Sequence, residues 1–369
     1  MILNRVRNKL RKNKIVHKIY QLYKQALKTF REEVMHKGYR LIKKNNIRHV
    51  THEMPCIKPH NIIGKALFVD KQDLINEGGL RTHGVYRTVK KIPLVTIITV
   101  VFNCASKLER AILSVLAQTY QNIEYIIIDG GSTDGCLEII NKYADKIDYF
   151  ISQPDKGIYD AMNKGLALSQ GDFIGIVNAD DMMLFDGVFN AVAELLKYRA
   201  DYVAAQDYCV DENGVFVMEY EVSHIDERCL VSKNPCNHGA MLIGKNVYNK
   251  IGYYDTKYLY AADYKFQAQI CIDKEFVGCK LLKNIHYFEM AGVSIKQREK
   301  SLEDVCNILI ELVPGINKKH VKSLVYFMHE KEWNEEIKSD LECIIKSGVY
   351  NELQIDYLIS EMKKAGMPS

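Results

Sequence analysis

The chain is poor in the residues that would dominate a small secreted or metal-stapled fold. It has one Trp and seven Pro in 369 residues. Its ten Cys form no Cys-x-x-Cys pair and no spacing typical of a zinc site, so neither a zinc module nor a disulfide framework organises it. Reduced thiols are the expected state. No uninterrupted apolar stretch is long enough to span a bilayer. Met1-Ile2-Leu3 runs straight into basic residues with no apolar core of signal-peptide length behind it. A cytoplasmic chain, neither exported by a standard signal nor integral to a membrane, is expected. Internal repeats and low-complexity segments are absent. The hydrophobic fraction, 47%, is ordinary for a globular protein.

Charge is unevenly distributed. Residues 1–50 hold 15 Lys and Arg against 2 Asp and Glu, whereas residues 92–294 hold 17 against 27. A basic arm is thus joined to an acidic body. Four regions follow: a basic arm at 1–50, a linker or irregular cover at 51–91, a main domain at 92–294, and a polar helical region at 295–369. Within the arm, Leu3, Val6, Leu10, Ile15, Ile19, Leu22, Leu27, Phe30 and Val34 recur near a 3.6-residue period, with Lys and Arg mostly off that stripe. A basic amphipathic helix over 1–35 suits an anionic membrane surface, and it equally suits packing on its own domain with a solvated basic face. No nucleic-acid motif accompanies it.

From Pro93 the pattern alternates cleanly. Val95–Val101 is a β-branched run and reads as a buried strand. Ser106-Lys107-Leu108-Glu109 has the form of a capping box opening a helix. Ile123–Ile128, Tyr149–Ile151 and Phe173–Val177 read as further strands, separated by helical periods that include 158–168. This β-α-β-α-β-α-β order predicts an α/β fold: a Rossmann-like, mostly parallel sheet flanked by helices on both faces. Asn103, Asp129, Asp155 and Asp180 each fall just past the carboxyl end of a successive strand, and in such a sheet those ends share one edge. The adjacent carboxylates Asp180 and Asp181 suit Mg²⁺ or Mn²⁺, and a divalent cation would let an acidic body accept a diphosphate. Further on, strands are expected at 202–205 and 275–282, an Asn-Gly hairpin at 210–215, and a helix through Ile272.

Five motifs in this order resemble the inverting glycosyltransferases of family 2, with the GT-A fold, over residues 93–294. They are Val95-Thr96-Ile97-Ile98-Thr99-Val100-Val101-Phe102-Asn103, Ile128-Asp129-Gly130-Gly131-Ser132-Thr133-Asp134-Gly135, Pro154-Asp155-Lys156-Gly157-Ile158-Tyr159-Asp160-Ala161-Met162-Asn163-Lys164-Gly165, Asn178-Ala179-Asp180-Asp181 and Ala262-Asp263-Tyr264. The third is similar to bacterial members that build surface polysaccharide. The resemblance implies that Phe102 and Asp129 meet the nucleotide base, Asp129 accepting an imide N–H, which favours UDP. Asp129 also suits capping of the Gly-Gly loop, and Ser132 and Asp134 suit N-caps of the next helix. Asp155 and Lys156 stand either near the base, ribose or donor sugar or as a surface ion pair. Asp160 and Asn163, one turn apart, would face the cleft together; Asp160 and Lys164 are also spaced for a helix-surface pair.

The family's Asp-x-Asp motif stands here as Asn178-Ala179-Asp180. The resemblance gives Asn178 a ribose hydroxyl and Asp180 the metal, with Asp181 in support. It makes Asp263 the base on the acceptor hydroxyl, although the family's frequent Glu-Asp pair is Ala262-Asp263 here. His238 and His286 are candidates for acceptor or metal contact, and each also suits a structural role. Glu289–Ser294 resembles a loop that closes over the donor. The implied activity is metal-dependent transfer of a hexose or N-acetylhexosamine from UDP to a growing, lipid-linked glycan. The implied location is the inner face of the cell membrane, in surface polysaccharide synthesis. Two alternatives compete: a sugar-phosphate nucleotidyltransferase, whose Gly-rich basic loop is missing after the first strand, and a non-catalytic membrane-bound or nucleic-acid-binding scaffold.

Overall fold

A computed structural model describes residues 48–49, 73–87 and 92–367. The helix expected over 1–35 lies outside these residues, as does most of the arm and much of the expected linker.

The elements run in chain order as β1 Arg48–His49, β2 Asn76–Gly78, β3 Val85–Tyr86, β4 Val95–Val101, α1 Ala105–Leu116, β5 Ile123–Asp129, α2 Cys136–Lys142, β6 Tyr149–Ser152, α3 Ile158–Leu168, β7 Phe173–Ile176, β8 Met182–Met183, α4 Gly187–Tyr198, β9 Tyr202–Val210, β10 Phe216–Tyr220, β11 Met241–Gly244, α5 Lys245–Ile251, α6 Ala262–Ile272, β12 Gly278–Glu289, α7 Val293–Lys296, α8 Arg298–Leu312, α9 Lys318–Glu330, α10 Glu335–Lys346 and α11 Glu352–Lys364. The main sheet has the order β2-β6-β5-β4-β7-β11-β9-β12-β8, with β10 paired to β9. Strands β6, β5, β4 and β7 are mutually parallel, as the β-α alternation predicts. Antiparallel β11 follows β7 and turns the second half of the sheet into a mixed one.

Period-two alternation divides the core. Val95, Ile97 and Val101 of β4 pack with Leu108 and Ile112 of α1, Ile140 of α2 and Leu195 of α4 on one face. Ile98 and Val100 pack with Met162 of α3, Phe266 of α6 and the C-terminal helices on the other. The sheet is therefore covered on both sides, and its central strand β4 is buried end to end.

Three expectations change. β9 runs on from Ala205 to Val210, and β12 begins at Gly278 and runs to Glu289. Glu289 is thereby the end of a strand and buried, not the start of a free loop. Ser106 does not cap α1: the N-cap is Cys104, and no side chain of the expected box bonds there. Asp134, from the loop after β5, accepts the Ala105 N–H at 2.8 Å instead.

Four of the C-terminal helices pack on the main body rather than apart from it. Asn317, Asn334 and Asn351 cap α9, α10 and α11, the last with a full capping box through Gln354. On α8, Asp304 accepts the Tyr260 N–H at 2.8 Å, and Glu311 meets Tyr258 and Lys265. α8 thus pins the loop that leads into α6.

Candidate functional site

The loops after β4 and β5 lock together. Asn103 sits in the left-handed region (φ 48°), where a short amide side chain is tolerated. Its Oδ1 accepts the Thr133 N–H at 2.9 Å, and its own N–H donates to Ser132 Oγ at 2.8 Å. Asp134 accepts from Ala105 and, at 3.2 Å, from Cys136, so it serves the starts of both α1 and α2. Asp129 is fully buried; it accepts the Ser132 N–H and the Ser152 hydroxyl, the latter at 2.5 Å. It therefore holds the Gly-Gly loop, one of its two expected roles. Phe102 is 62% exposed and stands over Gly130. A Cβ at Gly130 would collide with Asp155 Oδ2, so glycine is what lets these two loops touch.

Past β6, Asp155 Oδ1 accepts the Gly157 N–H at 2.8 Å. Burial raises its pKa above the usual carboxylate range, and Asp160 and Asp129 push the same way. Lys156 is exposed and pairs with nothing through its side chain among the described contacts. Asp160 accepts the Lys156 N–H at 3.1 Å and stands 3.4 Å from Lys164 Nζ, the helix-surface arrangement. Asn163 does not face the cleft. It is buried and bonds the Tyr254 backbone twice, donating to O at 2.8 Å and accepting from N at 2.9 Å. Every polar atom it has room to use is taken by the loop ahead of α6.

Past β7, a buried polar network begins. Asn178 Nδ2 lies 3.2 Å from Asp181 Oδ2 and 3.3 Å from His238 Nε2, while its Oδ1 is buried without a hydrogen-bond partner. Asp181 is buried and its Oδ1 accepts the Glu289 N–H at 2.9 Å. Burial pushes its pKa up to about 7; His286 opposes this, and Asp180 and Asp207 add to it. Both Asp181 oxygens are thus engaged inside the protein, which sets Asp181 behind the rim. His286 is fully buried between Asp181 Oδ2 at 3.7 Å and Asp207 Oδ2 at 3.6 Å, with Gly239 leaving room for its ring. It is sealed from any acceptor. Among the described residues no three His, Cys, Asp or Glu side chains gather into a metal-holding group.

Asp180 is the carboxylate of this pair that stays half-exposed. Its pKa is raised by burial and by nearby Glu289, against Lys107 and Arg110. Those two cations of α1 both donate to Glu289, and Arg110 also donates to the Asp180 carbonyl. A Cβ placed at Gly292 would lie 3.6 Å from Asp180 Oδ2. The segment after β12 thus approaches Asp180 as the resemblance implies, but from an anchored strand end.

Asp263 is in the first turn of α6, and its side chain is mostly buried. Its Oδ1 accepts the Tyr159 hydroxyl at 2.6 Å, and its Oδ2 lies 3.4 Å from His238 Nδ1. Burial alone would raise its pKa, but hydrogen bonds from His238 and Tyr159 outweigh that and hold it below the usual carboxylate range. A continuous chain of contacts therefore runs from Asp180's neighbour Asp181 through Asn178 and His238 to Asp263 and Tyr159. Tyr159 lies at the start of α3, just after Asp155. Asp155, Asn178, Asp180, His238 and Asp263 are brought to one rim, whereas Asn163 and His286 are not.

Sequence reasoning missed Lys107, Arg110, Tyr159, Asp207 and Asn237. Lys107 and Arg110 had a faint signal: two cations three residues apart on the helix after the first strand, the spacing of one helical face. Asn237 donates to Asp207 Oδ2 at 2.7 Å, a partner thirty residues away that no local pattern shows.

The family model "Glycosyl transferase family 2" matches residues 96–251. An uncharacterized glycosyltransferase of Mycobacterium tuberculosis is 30% identical over 213 residues, covering 57% of this chain and 79% of that protein. A PGL/p-HBAD biosynthesis glycosyltransferase of Mycobacterium bovis is 28% identical, covering 55% of this chain and 79% of its own length. Among solved structures, the mannosyltransferase PcManGT from Pyrobaculum calidifontis in complex with GDP-Man and Mn²⁺ aligns with a TM-score of 0.50 at 16% identity, over 75% of this chain and 88% of that one. S. aureus TarS 1-349 in complex with UDP aligns with a TM-score of 0.50 at 15% identity, over 74% and 88%. Those two alignments speak to fold alone, while the family match and the tuberculosis relative speak to descent. With the motifs standing at one edge of a GT-A sheet, the chain belongs to glycosyltransferase family 2 and is a glycosyltransferase.

Proposed function

We propose that this glycosyltransferase works by a metal-dependent, inverting displacement from a UDP-linked hexose or N-acetylhexosamine. The acceptor is a hydroxyl of a growing, lipid-linked glycan for the cell surface. The observation that carries the reading is Asp263: a mostly buried carboxylate, kept ionised by its neighbours His238 and Tyr159, and joined by a chain of polar contacts to the Asp180 end of the rim.

Inversion in a single displacement needs one base on the acceptor side. As the acceptor oxygen bonds the anomeric carbon, its proton passes to a free lone pair of Asp263. The glycosidic electron pair leaves with the nucleoside diphosphate. The exposed Phe102 ring offers a face for the base, and Asp155 a carboxylate beside it.

Asp180 fits a divalent cation. It is a hard oxygen donor, half-exposed, and left short of compensating charge because Lys107 and Arg110 are spent on Glu289. Asp180 would hold Mg²⁺ or Mn²⁺ there, and such an ion would supply positive charge to offset the charge developing on the leaving group. Asp181 is assigned to steady Asp180 and the end of β12. The PcManGT and TarS complexes support a nucleotide-sugar donor for the fold.

The basic segment at 1–35 is assigned to an anionic membrane surface at the inner face. Among the described residues no helix is long and apolar enough to cross a membrane.

Isothermal titration of UDP, with and without Mn²⁺, tests the donor and metal together. Mn²⁺ should tighten UDP binding at least about tenfold, and Asp180→Ala should abolish that gain. Binding indifferent to Mn²⁺ in both proteins would overturn the metal assignment.

A further inference from the structure

We propose that Asn178 fixes the tautomer of His238, and that His238 in turn presents its Nδ1–H to Asp263. Asn178 and His238 are then positioning residues for the acceptor-side carboxylate. The inference rests on Asp263 as the base, and it gives Asn178 a role other than the ribose contact implied by its motif.

Four distances carry it. The Asn178 side-chain atom facing both partners lies 3.2 Å from Asp181 Oδ2 and 3.3 Å from His238 Nε2. In the structure that atom is the amide nitrogen, donating to Asp181 Oδ2. An amide nitrogen carries two hydrogens, one for each neighbour. His238 Nε2 must then offer its lone pair. A neutral imidazole with a bare Nε2 carries its proton on Nδ1, and Nδ1 lies 3.4 Å from Asp263 Oδ2. The other Asp263 oxygen receives the Tyr159 hydroxyl at 2.6 Å. Asp263 is thus held by one donor on each side, and its carboxylate plane is set.

The neighbourhood suits this arrangement. The titratable groups facing the pair are Tyr159 of α3, Tyr254 in the loop before α6, Tyr220 of β10 and Cys236 just ahead of His238. Each has a pKa raised first by burial, and all four feel the Asp263 charge. They stay neutral in the working range and compete for no proton. Asp304 of α8 adds negative charge near Tyr159. Asp207 also acts on Cys236 and Tyr220, and its Oδ2 is bonded by Asn237.

The chemistry also accounts for residue choice. A carboxylate at position 178 has no hydrogen for Nε2. Flanked by a carboxylate on each nitrogen, the imidazole would be drawn toward the doubly protonated cation rather than held as one neutral tautomer. An amide at 178 therefore goes with a single base carboxylate at 263 whose neighbour is Ala262.

Two measurements test the proposal on the full chain without metal. The first is ¹⁵N NMR of histidine-labelled protein, with the His238 signals identified by their loss in His238→Asn. In wild type the neutral His238 ring should carry its proton on Nδ1, with Nε2 bare. In Asn178→Ala that single form should give way to a mixture with Nε2 protonated. A wild-type His238 protonated on Nε2 overturns the proposal.

The second is the pH profile of kcat/KM. His238→Gln, which places no donor at the Nδ1 position, should move the acidic limb up by about one pH unit. His238→Asn, whose amide nitrogen can stand where Nδ1 stands, should restore it. Identical limbs in wild type, Gln and Asn variants overturn the positioning role. Failure of the base reading is separable: Asp263→Asn would then retain turnover, whatever the tautomer of His238.

Discussion

At the ends of β4, β5 and β6, polar side chains are held by the loop next door. Asn103 and Asp134 reach across to partners about thirty residues away, and Asp129 to Ser152 on the adjacent strand. At the ends of β7 and β12 and the start of α6, the partners are far apart in the chain. Glu289 meets Lys107 across 182 residues, the Glu289 N–H meets Asp181 across 108, and Asp263 meets Tyr159 across 104. Each contact of the first set, the proposed nucleotide side, needs only two neighbouring β-α units. The second set, the proposed transfer side, needs segments from across the sheet, so it concentrates buried charge that depends on distant partners.

The contrast is broken most directly at Asp263. Asp263→Asn should lower kcat by about 10²–10⁴-fold while leaving the nucleotide-sugar Kd within about twofold, read by single-turnover kinetics and calorimetry. Near-normal turnover would place the base elsewhere. Glu289→Ala leaves Lys107 and Arg110 without their buried partner. It should cost about 3 kcal/mol in urea unfolding, the low end for a broken buried pair because both cations are partly exposed. Asp134→Ala, the matching change on the nucleotide side, removes only helix-capping bonds and should cost about 1 kcal/mol. Equal costs would erase the distinction between the two sides.

Asn163→Ala should cost about 2 kcal/mol through its two lost bonds to Tyr254, with UDP affinity unchanged. A large loss of UDP affinity at normal stability would return Asn163 to the cleft.

The smallest effect lies outside the rim. Burial lowers the His329 pKa to about 4, and Lys233, Arg298 and Lys331 add to this. The folded value is below the unfolded one, about 6.5, so the unfolded chain binds the proton first as pH falls. Stability from keeping His329 neutral is full above about 6.5 and is lost as pH drops toward 4. Thermal unfolding from pH 7 to 5.5 should show His329→Gln losing about 1 kcal/mol less than wild type. Parallel curves would show that His329 titrates normally.

Much of this was legible beforehand, and the misses have physical causes. The strands and their polar ends stood out because β-branched runs and period-two burial are local properties, visible in Val95–Val101 and Ile123–Ile128. The Ser106–Glu109 capping box was a false signal. Its spacing is right, but Asp134 already occupies the helix start from another loop. Asp160 and Asn163 share a helix and part company because the Tyr254 loop, ninety-one residues on, takes the asparagine. His238 and His286 were indistinguishable in sequence. One stands beside Asp263, and the other is sealed between two carboxylates, because β12 runs seven residues beyond the expected strand end at Leu282.

The sequence alone determined the order of strands and helices, and with it which residues stand past the strand ends. Those features depend on near-neighbour periodicity, which survives without knowledge of the fold. The tertiary structure decided which of those residues are free to act. Whether a carboxylate faces a ligand or a buried N–H depends on partners supplied by distant segments, and on the cost of leaving any buried polar group unpaired. That cost turned Asp129, Asp181 and Asn163 inward and left Asp180 and Asp263 at the rim.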